Sequence, residues 1–313
     1  MILVAGGSGW RNGNRAELRV MQLKLILCPV DFSDFSASAY EYALTLAEYY
    51  QANLTALHAI ELSKYPFADY VGATGDFADL SRALCEGGKT KLREFAKKHS
   101  RHGIEPQLVV DQGNASDLIL SFAQTHDVEL IVMGTHGRRG FDRLVLGSTT
   151  NRVMRKACCP VLVVSNPAHN VMTTGPGGKH RLSRILYCTD FSLNSERALE
   201  YAISLAAEYG AELTMLHVAG RAQDPARAEA IIAERTQELD KLISGNPSKN
   251  LTLRSLVKFG KPYEEIVRHA TEAQTSLIVM TARGGDALDR AVFGSTTYRV
   301  IQLGPCPVLA IHT

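Results

Sequence analysis

Met133-Gly134-Thr135-His136-Gly137 opens a segment that closes with Gly147-Ser148-Thr149-Thr150, and the chain carries this segment twice. The second copy runs from Met280-Thr281-Ala282-Arg283-Gly284 to Gly294-Ser295-Thr296-Thr297. Aligned without gaps, residues 133–153 and 280–300 agree at 11 of 21 positions. Each copy follows an apolar run and ends on a Gly-Ser-Thr-Thr helix start. Strand, glycine loop and helix in that order make a phosphate-binding arrangement, because the first amides of a helix have no partner within it. The duplication extends outward. Asp31-Phe32-Ser33 and His58 return as Asp190-Phe191-Ser192 and His217 at a spacing of 159, whereas the glycine loops are 147 apart. The first half therefore holds 12 more residues, placed in the Pro- and Gly-containing stretch 61–79.

Apolar runs alternate with amphipathic stretches through both halves. Lys24 to Val30, Leu54 to Ile60, Gln107 to Val110, Glu129 to Met133 and Val161 to Val164 read as strands. They are continuous rather than alternating, as strands buried on both faces are. Helices are expected from Ser33 or Asp34 to about Tyr50, from about Phe77 to His99, over Ala115 to Thr125, and from Ser148 to just before Cys159. The second half gives strands at Arg184–Thr189, Leu213–Val218, Leu251–Val257, Leu277–Met280 and Val308–Ile311. Its helices are expected at Glu196–Tyr209 and Pro225–Ile243. The fold class that follows is α/β, two doubly wound five-stranded parallel sheets in tandem. Residues 1–22 are an N-terminal extension, 23–165 and 182–313 the two domains, and 166–181 a linker rich in Gly and Pro.

A length of 313 residues suits two domains, and a net charge of +2 with 21% charged residues is that of an ordinary globular chain. Near neutrality argues against a dedicated nucleic-acid binder, which concentrates basic charge. No apolar run reaches the roughly 18 residues a membrane span needs. The apolar Met1 to Ala5 is cut off by Gly6-Gly7 with no basic segment before it, unlike a signal peptide. Six cysteines in this length are no disulfide framework, which points to a reducing, cytoplasmic setting. Cys158-Cys159 reads as a strand pair facing opposite ways and so as a poor metal site. No metal site and no catalytic residue is assigned.

Doubly wound sheets bind ligands outside the carboxyl ends of their strands, where strand order reverses. The Asp31 turn and the Gly134 loop share that crevice if strands one and four are neighbours. Gly134, Gly137, Gly140 and Gly147 are expected to admit the ligand closely and to take positive φ. Ser148, Thr149 and Thr150 add hydroxyl donors. No lysine precedes these hydroxyls, so this is not a Walker loop. Arg138 and Arg139 can reach a phosphate or stay solvated. His58 and His217 end strands and read as structural.

The spacing Gly134-x2-Gly137-x9-Gly147-Ser148 resembles the ATP-binding signature of the universal stress protein family. Pro29-Val30-Asp31 and the closing Cys159-Pro160-Val161-Leu162-Val163-Val164 fit the same pattern. Residues 23–165 and 182–312 each look like a full family domain, so the chain resembles a tandem member with the family's adenine-nucleotide-hydrolase-like fold. The resemblance implies ATP as ligand, with or without Mg. Pro29, Val30 and Asp31 would hold adenine and ribose, with Ala59 lining the base. Met133, Gly134, His136, Gly137, Gly147, Ser148, Thr149 and Thr150 would surround ribose and phosphates. In the second half Asp190, Val218, Gly284, Gly294, Ser295, Thr296 and Thr297 match. Cys188 and Thr281 depart, standing where Pro29 and Gly134 stand. A Cβ at 281 is expected to crowd the ribose or forbid the loop's φ, leaving half two the weaker site.

The implied function is an ATP-binding stress-response regulator or sensor, best formed in domain 1. The alternatives are a nucleotide-independent interaction scaffold and a slow ATPase. The expected partner is an adenine nucleotide, with no nucleic acid and no membrane. Family dimers pair their fifth strands, so the halves are expected to form an intrachain pseudo-dimer, with a homodimer of chains as a further option.

Overall fold

The computed structural model describes residues 23–64, 77–100, 103–135, 146–165, 173–174, 180–220, 224–244, 251–282 and 294–312. The N-terminal extension, the 65–76 stretch and the middles of both glycine loops lie outside these residues. The chain divides into two units that separate between Pro167 and Ala168.

In half one the order is β1 (Leu25–Pro29), α1 (Asp34–Tyr50), β2 (Asn53–Ile60), α2 (Phe77–Lys98), β3 (Gln107–Gln112), α3 (Ala115–Thr125), β4 (Leu130–Gly134), α4 (Ser148–Lys156) and β5 (Val161–Val164). The strands are parallel in the spatial order β3-β2-β1-β4-β5. Ile26, Leu27 and Cys28 in β1 and Ile131 and Val132 in β4 have no exposed surface, as the central strands of a sheet covered on both faces must. α1 packs over β1 and β4, while α3 and α4 pack on each other.

After a short antiparallel ladder, β6 (Thr173–Thr174) with β7 (His180–Arg181), half two repeats the plan. Its elements are β8 (Arg184–Thr189), α5 (Leu193–Tyr209), β9 (Glu212–Ala219), α6 (Pro225–Ser244), β10 (Leu253–Phe259), α7 (Pro262–Glu272), β11 (Leu277–Thr281), α8 (Ser295–Leu303) and β12 (Val308–Ile311). The order is β10-β9-β8-β11-β12, again parallel. In both halves the order reverses between the first strand and the fourth. Leu27 pairs with Ile131, and Tyr187 with Val279. Strands one and four are therefore neighbours, and the Asp31 turn and the glycine loop leave the sheet side by side.

Helix starts follow local chemistry. Ser33 and Ser192 cap α1 and α5 by accepting from the amides of Ser36 and Ser195. Such a cap is worth about 1 kcal/mol. Helix α5 thus begins at Leu193, three residues before the sequence reading placed it. Helix α7 was not anticipated, although Pro262 in its first turn, with Glu264 and Glu265, is an ordinary start signal.

The reading of Cys158-Cys159 as a strand pair is corrected. The two lie in a bend between α4 and β5, Cys158 exposed and Cys159 buried. Burial, then the contact with Cys158, pushes the Cys159 thiol up to about 12. Among the described residues no helix is long and apolar enough to cross a membrane.

Candidate functional site

The turn after β1 is built the same way twice. Asp31 Oδ1 accepts from the Ser33 amide at 3.0 Å and the Ser33 hydroxyl at 2.6 Å. Asp190 Oδ1 accepts from the Ser192 amide at 3.0 Å and its hydroxyl at 2.5 Å. The residue spanned by each carboxylate is a left-handed phenylalanine, with φ of 65° at Phe32 and 61° at Phe191. That conformation costs a side-chain-bearing residue roughly 1–2 kcal/mol and persists only where its surroundings impose it. The surroundings here are the aspartate–serine bonds that span the residue and the strand-two histidine. The Phe32 ring lies 4.4 Å from that of His58, and Phe191 4.6 Å from His217. Each histidine Nδ1 also meets the carbonyl before the aspartate, Val30 at 2.7 Å and Thr189 at 2.9 Å. A carbonyl only accepts, so Nδ1 carries the proton. The histidines therefore fix the turn that presents the carboxylate, a structural role in the service of the site.

The glycine loop is tied at its base. Gly147 N donates to Thr135 O at 2.8 Å, and Gly294 N to Ala282 O at 3.1 Å. Thr150 Oγ1 donates to Gly134 O at 2.9 Å, and Thr297 Oγ1 to Thr281 O at 2.8 Å. Both threonines are buried, while Ser148 and Ser295 are exposed and Thr149 and Thr296 half-buried. The three hydroxyl residues thus divide: the third is used by the backbone, and the first two keep exposed surface. Helices α4 and α8 open on Gly147 and Gly294 with no side-chain cap. The amides of Ser148 to Thr150 and Ser295 to Thr297 begin helices with no intrahelical acceptor. A glycine start without a competing side chain leaves the positive end of the helix dipole open to an anion.

Two expectations for the glycines are overturned. Gly147 has φ −55° with ψ 143°, and Gly134 is not among the positive-φ residues. Positive φ is not what these positions require. A Cβ on Gly134 would stand 2.9 Å from the Cβ and from the backbone C and O of Phe35, so the glycine admits helix α1 to the sheet. In half two Thr281 carries a Cβ and lies 8% exposed inside β11. At this position half one has a glycine packed against helix α1 and half two a buried threonine.

Of the residues the sequence singled out, Pro29, Val30, Asp31, Ala59, Met133, Gly134, Gly147, Ser148, Thr149 and Thr150 all lie at the carboxyl end of the half-one sheet or on the helix start beside it. Asp190, Val218, Gly294, Ser295, Thr296 and Thr297 do so in half two. His136, Gly137 and Gly284 lie outside the described residues, as do Arg138, Arg139 and Gly140. Half two holds an open recess of about 370 Å³ lined by Asp190, Phe191, His217, Val218, Ile231 and Arg235, with the end of β9 as its floor. Arg235 was not anticipated. Its guanidinium sits 5.6 Å from the Phe191 ring centre and 2.6 Å from Glu238. Burial lowers the His217 pKa below the usual 6.5, and the Arg235 charge lowers it further against the opposing bond to Thr189.

The sequence profile of the Universal stress protein family matches residues 22–165 and again 182–312. The chain belongs to the universal stress protein family. It carries the family domain twice, once in each half. A universal stress protein of Methanocaldococcus jannaschii is 35% identical over 144 residues, 46% of this chain and 83% of the relative. One from Synechocystis sp. is 25% identical over 308 residues, covering 93% of this chain and all of the relative. The tandem arrangement is thus shared by a full-length universal stress protein. The crystal structure of a universal stress protein from Archaeoglobus fulgidus superposes with a TM-score of 0.68 at 22% identity, covering 93% of this chain and 99% of that one. It shares the fold.

Proposed function

We propose that this universal stress protein is an ATP-binding stress-response regulator or sensor. Nucleotide is held between the end of β1 and the glycine loop, and that site is best formed in half one. The observation that carries the reading is the uncapped helix start at Gly147, set beside the Asp31 carboxylate at the point where strand order reverses. The helix start suits phosphates and the carboxylate suits ribose hydroxyls, so a nucleotide matches both ends of the crevice. Among the described residues no three His, Cys, Asp or Glu side chains converge on a metal position. Magnesium arriving with ATP would be held by the phosphates, with the Ser148 and Thr149 hydroxyls as the oxygens this chain offers.

Chromatography of nucleotide released from protein purified without additions tests the reading, together with ATP titration of the full chain. Retained ATP or ADP, or saturable ATP binding lost on Asp31→Ala, is the expected result. No retention and no binding at millimolar ATP would leave the nucleotide-independent scaffold in its place. Turnover above background that is lost on Asp31→Ala would make the protein a slow ATPase.

A further inference from the structure

Helices α2 and α6 occupy the same place in their halves and are in register at a spacing of 147. Leu92 and Leu239, 147 apart, are both fully buried. The third strands agree: Gln107 pairs with Thr55 and Arg254 with Thr214, again 147 apart across β3 and β10. This register sets Gly88 opposite Arg235. In half one a Cβ on Gly88 would lie 2.9 Å from Ile60 Cδ1, 3.1 Å from Val110 Cγ1 and 3.6 Å from His58 Cδ2. Helix α2 therefore sits hard against the end of β2. In half two an arginine stands at the equivalent place, beside the equivalent histidine, and the recess of about 370 Å³ opens there. That volume falls in the range of small-ligand sites.

We propose that the half-two recess takes a purine nucleotide with a carbonyl at position 6, guanine or hypoxanthine, in preference to adenine, and that Arg235 is the residue that reads it. The proposal rests on the reading of the strand-end crevice as a nucleotide site. A guanidinium only donates hydrogen bonds. Adenine presents an amino donor at position 6, which opposes it. Guanine and hypoxanthine present O6 and N7 together, the acceptor pair that arginine meets with two parallel bonds. Asp190 supplies a carboxylate in the same recess, the counterpart of Asp31 and suited to the ribose hydroxyls. Val218, Ile231 and the Phe191 ring supply apolar walls for a planar base. Glu238, 2.6 Å from Arg235, neutralises and orients the guanidinium. It acts as a positioning residue and makes the site a reader of hydrogen-bond pattern rather than a trap for any anion. Half one has no donor at Gly88 and carries no such bias against adenine.

Calorimetric titration of the full chain carrying Asp31→Ala isolates half two. GTP and ITP are expected to bind roughly tenfold or more tightly than ATP, the scale of one bidentate arginine–purine contact. Arg235→Gln in that background is expected to bring the three within about twofold of one another, the loss of that same contact. Photolabelling of the unmutated chain with 8-azido-GTP and 8-azido-ATP, mapped by peptide mass, reads the preference without a variant; guanine label is expected on half-two peptides. Equal binding of ATP and GTP, no binding at all, or a preference untouched by Arg235→Gln overturns the proposal. If the unmutated chain ignores ATP while the GTP preference holds, only the ATP reading of half one fails. If ATP binding is lost with Asp31→Ala and no guanine preference exists, only the present proposal fails.

Discussion

His58 Nδ1 stands 2.7 Å from the carbonyl oxygen of Val30, and the bond returns 159 residues later between His217 and Thr189 at 2.9 Å. It joins the end of the second strand to the last residue before the aspartate. His58→Ala leaves that carbonyl without its donor and the Phe32 ring without its neighbour. We expect a loss of about 1–3 kcal/mol, the scale of an unsatisfied buried acceptor. Urea unfolding of the full chain measures it, and a change under about 0.5 kcal/mol, within the spread of neutral surface substitutions, would contradict the bracing role.

The half-two histidine makes stability depend on pH. Burial, and then the Arg235 charge, hold the His217 pKa below its ordinary 6.5, and burial with the Lys258 charge does the same to His269. A depressed histidine means that the unfolded chain takes up its proton first as pH falls. Its contribution to stability is whole above about pH 6.5 and is lost as pH drops through the folded-state value. Denaturation midpoints at pH 7.5 and 5.5 should therefore fall on acidification, and fall less in His217→Gln. An equal fall in both proteins would assign the slope elsewhere.

Phe32 inverts an ordinary rule. Outside helices alanine usually stabilises relative to glycine by limiting the unfolded chain. At φ 65° the alanine Cβ is strained and glycine is not. Both substitutions lose the ring contacts to His58 and Phe95. We expect Phe32→Gly to be more stable than Phe32→Ala by about 1 kcal/mol. The opposite order in thermal unfolding would show that the ring alone imposes the turn.

The parts of this molecule that could be read from its residues are those encoded locally and twice. Continuous apolar runs gave the strands, and the 159 and 147 spacings gave the duplication and the side of the insertion. The crevice followed, because it depends only on which strands are adjacent. What stayed hidden was set by contacts distant in sequence. Gly134 looks like a ligand-facing glycine, yet its neighbour is Phe35, roughly a hundred residues earlier. Thr150 looks like a phosphate donor until its partner, Gly134 O, is seen. Arg235 falls opposite Gly88 once the 12 extra residues are placed at 61–79, but only the packing of Gly88 against Ile60 and Val110 gives that match a meaning. Phe32 gave a signal that went unused: the same aromatic in both Asp-Phe-Ser turns, each with a histidine 27 residues after its aspartate.

Gly134→Ala tests the packing account of the loop's first glycine. Its Cβ would stand 2.9 Å from the carbonyl oxygen of Phe35, which belongs to helix backbone and cannot swing aside. Overpacking of this kind costs roughly 1–3 kcal/mol. We expect that loss in chemical denaturation whether or not ATP is present. A variant of unchanged stability that binds ATP more weakly would restore the ribose as the glycine's reason.

The hydroxyls of the helix start should separate binding from stability. Thr150 Oγ1 is buried and satisfies Gly134 O, so Thr150→Val removes a buried donor while keeping the side chain's shape. We expect it to cost about 1–3 kcal/mol, with Thr150→Ser retaining most of the stability. Ser148 is exposed, at the first position of a helix whose cap is a glycine. Ser148→Ala should leave the melting temperature within about 1 °C, as an exposed substitution does. On the nucleotide reading it should weaken ATP binding several-fold through the lost hydroxyl. If Thr150→Val proves stable but blind to ATP, the buried threonine reaches the ligand after all, and the division of labour among the three hydroxyls is wrong.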